Sequence, residues 1–310
     1  MSLDLPALQA AVAAHGRVVR VLVAAVRGSS PREAGASMLV WPGGQSGTIG
    51  GGALEWQATA RAHACRGPEV MRLPLGPALG QCCGGSVTLV LEPFDAARLS
   101  ALTLRDALAA RPLSADTMPA TVARALSGRP RAPRLVEGWL IEPLARPNRQ
   151  VWVWGAGHVG RALVALAAPL PDFALTWLDF ARDRFPATPP DTVAIRWAAD
   201  PATLIPDAPP GAEHLVLTHD HALDLALCHG LLRHGVAGLG LIGSASKRAR
   251  FRQRLAGLGH TAQAIDLVRC PIGEPGLGKH PQAIALGVVA DLLRHPPGTP
   301  APTAADSAHG

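Results

Sequence analysis

The chain has 310 residues, of which 48% are hydrophobic and 17% charged, and its formal net charge is +6. The composition predicts a soluble globular protein, the length predicts two domains, and no charge-free apolar run reaches the roughly 18 residues that a membrane-spanning helix needs. Five irregularly spaced cysteines argue for the reducing cytoplasm rather than a secreted disulfide framework, and the lack of Tyr with only five Phe argues against nucleic-acid binding.

The first half of the chain predicts an N-terminal α/β domain over residues 1–146. A helix with an apolar face ends at Gly16. Further strands are expected at "RVVRVLVAAVRG", "ASMLVWPGG" and "GSVTLVLEPF", and a helix at "GALEWQATARAHACRG". We expect helical structure within residues 100–130, interrupted by Pro112 and Pro119, and one strand at "RLVEGWLIEPL". Residues 145–150 are the predicted linker.

The second half alternates strand and helix patterns from "VWVWGAG" through "FALTWLDF", "HLVLTHDH" and "GLGLIGS" to a last helix at "PQAIALGVVADLLRH". Such alternation implies a parallel sheet with helices on both faces. We therefore predict a Rossmann-like, doubly wound domain over residues 147–295. The Pro- and Ala-rich residues 296–310 are expected to be a disordered tail.

A glycine fingerprint opens this second domain. Gly155, Gly157 and Gly160 have G-x-G-x-x-G spacing after a predicted strand, and Asp179 closes the next strand. Such glycines allow a tight turn, and the following helix N-terminus attracts phosphate; His158 would lie beside it. Two interpretations are open: a bound nucleotide, or a turn that retains its geometry without NAD.

The segment "THDHALD", residues 218–224, falls at the carboxyl end of another predicted strand. His219 and His221 would share a metal only if the chain turns there. Alternatively, Asp220 or Asp224 caps the next helix and the histidines bond locally. Ser244 or Ser246 is expected to cap the helix that follows, and Cys270 is expected to be a small buried residue rather than a ligand.

In the first domain, Gly50, Gly51 and Gly52 precede a predicted helix. Three consecutive glycines are costly to order, which favours a backbone role such as cradling an anion, although a plain flexible hairpin is the alternative. A turn containing Ser29, Ser30 and Arg32 is a candidate for contacting the same anion.

A doubled cysteine lies in "GQCCGG", which comprises Gln81, Cys82, Cys83, Gly84 and Gly85 with Gly80. A bridge between adjacent cysteines distorts the intervening peptide, and the C-x-x-C spacing of redox pairs and most zinc sites is absent. The remaining interpretations are a thiol presented on a glycine-flanked turn, for ligating a soft metal or carrying sulfur, and a plain strand start.

Several of these motifs together resemble the XdhC family of xanthine dehydrogenase accessory proteins. The resemblance rests on "GSSPREAGASMLV", "GTIGGGALE", "GQCCGG", "WGAGHVG", "THDHALD", "GLIGSASKRARF" and "CPIGEPGLGKHP", and it extends from about residue 28 to 290.

This resemblance implies a molybdenum-cofactor chaperone without turnover of its own. It would hold the cofactor while a cysteine desulfurase sulfurates it, and deliver it to the molybdenum-binding subunit of xanthine dehydrogenase. By the same resemblance, Cys82 and Cys83 become candidates for contacting molybdenum, and Gly50 to Gly52 for binding the terminal phosphate. Gln81, Gly84 and Gly85 would complete that site, and a second, nucleotide site remains open at Gly155, Gly157, His158, Gly160 and Asp179. A homodimer is a further expectation.

Two other functions remain open from the sequence. The first is an NAD(P)-dependent oxidoreductase that uses the Rossmann domain, with a histidine of "THDHALD" as acid or base. The second is a zinc or iron protein that uses His219, His221 and a cysteine.

Overall fold

In the computed structural model, the described residues are 3–76, 84–114, 117–145 and 149–295. The chain divides into two compact units, Met1–Arg146 and Pro147–Gly310. Within the described residues, no helix is both long enough and apolar enough to cross a membrane.

The first unit is built mainly from strands. Its helices are α1 (Leu5–His15), α2 (Gly52–Ala64), α3 (Ala96–Ser100) and α4 (Ala120–Ser127). Its strands are β1 (Val18–Arg27), β2 (Ser37–Trp41), β3 (Gly44–Gly47), β4 (Glu69–Pro74), β5 (Ser86–Phe94), β6 (Thr103–Arg105), β7 (Leu108–Pro112), β8 (Arg134–Val136) and β9 (Trp139–Pro143).

These strands form two antiparallel sheets, with orders β3-β2-β1-β5-β4 and β6-β7-β9-β8. Helix α2 covers one face of the five-stranded sheet, where its residues Leu54 and Ala58 share a core with Val21 and Leu89. On the opposite face of this sheet, Leu22 and Ala24 of β1 and Val90 of β5 pack against Leu140 of β9. Helix α4 packs on the outer face of the four-stranded sheet.

A buried charge network joins the two sheets. The guanidinium of Arg20 on β1 binds both carboxylate oxygens of Glu142 on β9, at 2.8 and 3.1 Å. Arg111 on β7 binds Glu92 on β5 at 2.5 Å and Glu142 at 2.6 Å. Burial acts to raise the pKa of Glu142, but Arg111 and Arg20 outweigh it and hold that pKa below its usual value. Each buried charge therefore has a partner of opposite sign.

The second unit has a six-stranded parallel sheet. Its strands are β10 (Arg149–Trp154), β11 (Phe173–Asp179), β12 (Ala194–Trp197), β13 (Glu213–Val216), β14 (Gly238–Leu241) and β15 (Val268–Arg269). Its helices are α5 (His158–Ala167), α6 (His221–His234), α7 (Ala245–Gly257), α8 (Ala262–Asp266) and α9 (Pro281–Arg294).

The strand order β12-β11-β10-β13-β14-β15 is the order 3-2-1-4-5-6 of dinucleotide-binding folds. Helices α5 and α9 share a core on one face, and α6, α7 and α8 share a core on the other. The predicted fold class, an N-terminal α/β domain followed by a Rossmann-like doubly wound domain, is confirmed.

Three local predictions are wrong. Of the helical structure expected within residues 100–130, α4 (Ala120–Ser127) is present after Pro119, but residues 103–112 are a β-hairpin, in which Ala109 and Ala110 are fully buried in the second sheet. The expected single strand at 134–143 is also a hairpin, β8–β9, which turns at Glu137 and Gly138 with φ of 44° and 78°. Arg149, placed in the linker from sequence, begins β10.

Candidate functional site

Three loops singled out from the sequence meet at one end of the five-stranded sheet. A Cβ atom on Gly85 would lie 2.2 Å from the Ser29 carbonyl oxygen and 2.4 Å from that of Arg27. A Cβ atom on Gly50 would lie 2.5 Å from the Cβ of Pro31. The loop around residues 27–32 is therefore in direct contact with Gly50 and with Gly85, at positions that only glycine permits.

Gly50, Gly51 and Gly52 have φ values of 120°, 71° and 64°, so this turn requires glycine at each position. Its N–H groups already have an anionic partner. Glu55, on the first turn of α2, accepts hydrogen bonds from the N–H of Ile49 and of Gly51, each at 3.1 Å. The turn is thus an anion-binding conformation that holds a carboxylate of the same chain.

The electrostatics of Glu55 follow from these contacts. Burial acts to raise its pKa, but hydrogen bonds from the Thr48 hydroxyl, the two backbone N–H groups and the Gln45 amide outweigh it. The net result is a pKa below the usual 4.5. The sequence places Glu55 in the first turn of the helix but gives no prediction of this role. The usable signal was its position four residues after the N-cap Gly51, from which its carboxylate reaches back to the Gly51 N–H, as the acidic residue of a capping box does.

The segment 77–83, which contains Gln81, Cys82 and Cys83, lies outside the described residues. Its flanks are described: the N–H of Leu75 donates to the carbonyl of Gly85 at 2.7 Å. Gly84 differs from Gly85, because no heavy atom of the described neighbours lies within 4 Å of a Cβ atom built there. The described residues Leu75 and Gly85 are therefore paired with each other, and Gly85 lies against the loop at residues 27–32.

The second candidate site is the carboxyl edge of the parallel sheet. Gly155 has φ 119°, and a Cβ atom there would lie 2.7 Å from the carbonyl oxygen of Leu217, just after β13. A Cβ atom on Gly160 would lie 2.0 Å from the carbonyl oxygen of Gly155. These two glycines are required by the fold itself, at the point where the strand order reverses.

Gly157 is different, because its φ of −73° suits any residue and a Cβ atom there would have no described heavy atom within 4 Å. It leaves open space before α5, which begins at His158. Asp179, 6% exposed, faces this loop and accepts a hydrogen bond from the N–H of Ala156 at 2.5 Å. Gly155, Gly157, His158, Gly160 and Asp179 are therefore brought together.

In the "THDHALD" segment, Asp220 is the N-cap of α6, and it accepts hydrogen bonds from the N–H of Ala222 and Leu223. His219 and His221 are both exposed. Among the described residues, no group of three or more His, Cys, Asp or Glu is arranged to hold a metal ion. The capping interpretation of Asp220 is confirmed.

A buried ion pair joins α6 to α7 beside this segment. Asp224 is fully buried, and its carboxylate contacts the ammonium of Lys247 at 2.5 Å and the hydroxyl of Thr218 at 2.6 Å. Lys247 lies in the first turn of α7, whose cap is Ser244, and a positive charge at that position opposes the helix dipole. Asp224 supplies the compensating charge.

The described cysteines, Cys65, Cys228 and Cys270, are all buried and free. Burial is the main cause that raises the pKa of each of these thiols. Such thiols are poor nucleophiles and poor metal ligands at neutral pH. Cys270 packs as a core residue, as predicted from the sequence.

Comparisons with known proteins agree with this architecture. A model of the XdhC and CoxI family matches residues 11–73, and a model of the XdhC Rossmann domain matches residues 151–292. No curated protein matches the chain.

Among solved structures, a crystal structure of a xanthine dehydrogenase from Bacillus halodurans is 21% identical, with a TM-score of 0.72, over 95% of each chain. A short-chain dehydrogenase/reductase from Veillonella parvula is 14% identical, with a TM-score of 0.32, over 49% of this chain and 90% of its own. A Rossmann-fold NAD(P)-binding family protein from Shigella flexneri has 14% identity, a TM-score of 0.33 and the same coverage.

The first of these structures shares the fold of both units of this chain. The two family models describe one family and together match more than half of the 310 residues. The chain belongs to the XdhC and CoxI family.

Proposed function

We propose that this chain is an accessory protein of xanthine dehydrogenase that binds molybdenum cofactor in its N-terminal unit. It holds the cofactor in the cytoplasm during sulfuration by a cysteine desulfurase and delivers it to the molybdenum-binding subunit of the dehydrogenase. Family membership supports the accessory role. The observation that carries the cofactor-binding proposal is the convergence of the loops at residues 27–32, 48–52 and 84–85 at one end of a rigid sheet.

The convergence fits a ligand that has both a phosphate and a soft metal. The positive φ values of Gly50 to Gly52 turn backbone N–H groups toward an anion, which suits the terminal phosphate of the cofactor. No heavy atom of the described residues lies within 4 Å of a Cβ atom built on Gly84. Cys82 and Cys83 immediately precede Gly84, and a thiolate is the protein group that binds molybdenum or accepts and passes on sulfur.

Glu55 sets a condition on this binding. Its carboxylate accepts hydrogen bonds from the same N–H groups that would contact a phosphate. Two anions cannot share these donors without strong repulsion. The cofactor phosphate therefore has to displace the Glu55 carboxylate from these N–H groups. The free energy that this displacement costs lowers the net affinity for the cofactor, so the cofactor can still be released to an acceptor enzyme.

The experiment that tests the function uses apo xanthine dehydrogenase as the acceptor. The purified chain is loaded with cofactor, sulfurated with a cysteine desulfurase, and mixed with the apoenzyme. We expect xanthine oxidation to appear in proportion to the loaded chain, and to fall at least about tenfold with a Cys82→Ala, Cys83→Ala double variant. Equal activation by free cofactor at the same concentration, with no benefit from the chain, contradicts the proposal.

An NAD(P)-dependent oxidoreductase is a second candidate function. It is favoured by the 3-2-1-4-5-6 strand order and by the open space beside Gly157. Its test is hydride transfer from NADH or NADPH to an added acceptor, measured as loss of absorbance of the reduced nicotinamide. Turnover that is lost in a Gly157→Val variant supports it, and the absence of turnover with folded protein contradicts it.

A further inference from the structure

A groove opens in the first unit where the edge strands of its two sheets approach each other. Strand β4 is the last strand of the five-stranded sheet, and β8 is the last strand of the four-stranded sheet. The groove has a volume of about 280 Å³. Its apolar lining consists of Pro68, Val70, Leu113, Leu135 and Val136. We call it the edge groove.

Two apolar side chains of the edge groove are open to solvent. Val70 of β4 is 48% exposed, and Leu135 of β8 is 40% exposed. On β4, Met71 and Leu73 pack against the core that contains α2, whereas Val70 belongs to the other face of the strand. Single exposed apolar residues are common on protein surfaces, but two that line one groove indicate a surface that contacts a partner.

Strand β4 also offers its backbone to a partner. It pairs with β5 over all six residues from Glu69 to Pro74, without a register shift. In the sheet that the described residues form, no strand pairs with the other side of β4. Alternate N–H and C=O groups of such an edge point away from the sheet, where an extended segment of another chain can form hydrogen bonds with them.

Both walls of the edge groove are flanked by arginines. Arg72 lies two residues after Val70, on the same face of β4. The segment that leads into β8 has no Asp or Glu between residues 117 and 136, and it contains Arg129, Arg131 and Arg134. All four arginines are exposed, and none of them forms an ion pair with a residue that the structure describes. Four positive charges are thus available to an anionic partner.

We infer that the edge groove binds an extended, acidic segment of a partner protein, which adds a strand to β4. Apolar side chains of the segment lie beside Val70 and Leu135, and its carboxylates pair with the flanking arginines. Backbone pairing at a strand edge gives affinity, and the side chains that enter the groove give specificity. The inference goes beyond cofactor binding and does not depend on it, because it concerns other residues.

Charge decides between this partner and a second copy of the same chain. Two copies joined through β4 would bring their Arg72 side chains to one shared edge, beside the arginines that precede β8, and like charges repel. A basic segment would be repelled in the same way. Of the described residues that line the groove, Glu137 alone is acidic, so the net charge around the groove stays positive. An acidic segment fits this charge.

The test is binding of fluorescein-labelled decapeptides to the full chain, measured by fluorescence anisotropy. The probe alternates Val and Glu. One control peptide alternates Val and Lys, a second alternates Ser and Glu, and a third has the probe sequence with methylated backbone nitrogens, which cannot donate hydrogen bonds to a strand. We expect saturable binding of the probe, at least about tenfold tighter than that of any control peptide.

The apolar wall is tested by Leu135→Ala, which should weaken binding of the probe at least about fivefold. Its matched control is Leu166→Ala, at a leucine of the second unit that is also 40% exposed. This control should bind the probe like the unmodified chain. Thermal melting checks that each variant is folded.

The basic flanks are tested by the double variant Arg72→Ala, Arg134→Ala. We expect it to weaken binding of the probe at least about fivefold and to reduce the dependence of the affinity on salt. Its matched control is the double variant Arg250→Ala, Arg254→Ala, which removes two exposed arginines from α7 in the second unit. The control should leave both the affinity and its salt dependence unchanged.

Four outcomes overturn the inference. The first is no saturable binding of the probe to folded protein at concentrations up to about 1 mM. The second is equal binding of the probe and any control peptide. The third is equal affinity in the groove variants and their matched controls. The fourth is a different occupant: a dimer of the chain, detected by sedimentation and weakened by Leu135→Ala, or a single-stranded oligonucleotide that displaces the probe and needs Arg72 and Arg134.

Discussion

The Oε2 atom of Glu55 lies 3.1 Å from the backbone nitrogen of Gly51, so a carboxylate of the first unit is bound in its own glycine turn. The same oxygen accepts hydrogen bonds from the Thr48 hydroxyl and the N–H of Ile49. This contact stabilises the turn when no ligand is bound, and it places a negative charge where a phosphate would otherwise bind.

Replacing this carboxylate by an amide is expected to destabilise the first unit at neutral pH. Glu55→Gln loses charge-assisted hydrogen bonds, and because the side chain is partly exposed we expect a loss of about 1 kcal/mol in the free energy of unfolding. The pKa of Glu55 is lowered in the folded state, so its contribution is present above the usual 4.5 and is lost as pH falls through the folded pKa. Denaturant unfolding of both proteins from neutral pH downward measures this.

The difference in stability between the two proteins should therefore be constant near neutral pH and should shrink below pH 4.5. A difference that grows with acidity would contradict the assignment. The same variant removes the competing anion, so it should retain phosphate-bearing cofactor several-fold more tightly than the unmodified chain.

The neighbouring glycines Gly84 and Gly85 offer a matched pair of substitutions. Gly85→Ala places a methyl group 2.2 Å from the Ser29 carbonyl oxygen, and we expect it to lower the free energy of unfolding by about 2 kcal/mol or more. Gly84→Ala meets no described atom within 4 Å and should leave stability unchanged, yet we expect it to weaken cofactor retention because it adds a methyl group at the proposed cofactor site. Thermal melting and cofactor retention, measured on both variants, separate the two effects; equal melting temperatures would disprove the packing argument.

The ion pair between Asp224 and Lys247 should be among the strongest single contributions in the second unit. Lys247→Met leaves a fully buried carboxylate without its cation, and we expect a loss of about 3 to 5 kcal/mol in the free energy of unfolding. The control is Arg196→Met, which breaks a pair whose side chains are 39% and 49% exposed and should cost less than about 1 kcal/mol. Chemical denaturation monitored by circular dichroism measures the free energy of unfolding of both variants. If the two variants lose similar amounts of stability, the carboxylate of Asp224 is not isolated from water.

The glycine fingerprint gives a parallel test in the second unit. Gly160→Ala places a methyl group 2.0 Å from the Gly155 carbonyl oxygen, so we expect a fall in stability of about 2 kcal/mol or more. Gly157→Ala should leave the melting temperature unchanged, because neither its φ of −73° nor a described neighbour requires glycine. A large fall in melting temperature for Gly157→Ala would mean that this glycine serves the fold rather than a ligand.

The sequence predicted the second unit well because its signals are local. Strands β10, β13 and β14 are short apolar runs that are each followed by a turn and an α-helix, and the spacing of Gly155, Gly157 and Gly160 identifies the first of these turns. The burial of Asp224 against Lys247 was not predictable in this way, since those residues lie on different helices, 23 positions apart.

The first unit was harder to predict because its packing overrides local propensity. Residues such as Ala109 and Ala110 favour helices, yet they occupy a strand that is covered on both faces. The turn at Glu137 and Gly138 carried a usable signal, a glycine-containing pair between two apolar runs. The contact between Gly85 and Ser29 had no signal in the sequence, because it depends on how β1 and β5 align in the sheet.

The most direct test of the proposed function is retention of cofactor by the purified chain. Molybdenum cofactor released from a donor enzyme is incubated with the chain under anaerobic, reducing conditions, and molybdenum and pterin are quantified in the protein peak after gel filtration. The account predicts near-stoichiometric retention that is lost in Cys82→Ala or Cys83→Ala variants of unchanged melting temperature. No retention by folded protein, or equal retention by the cysteine variants, would contradict it.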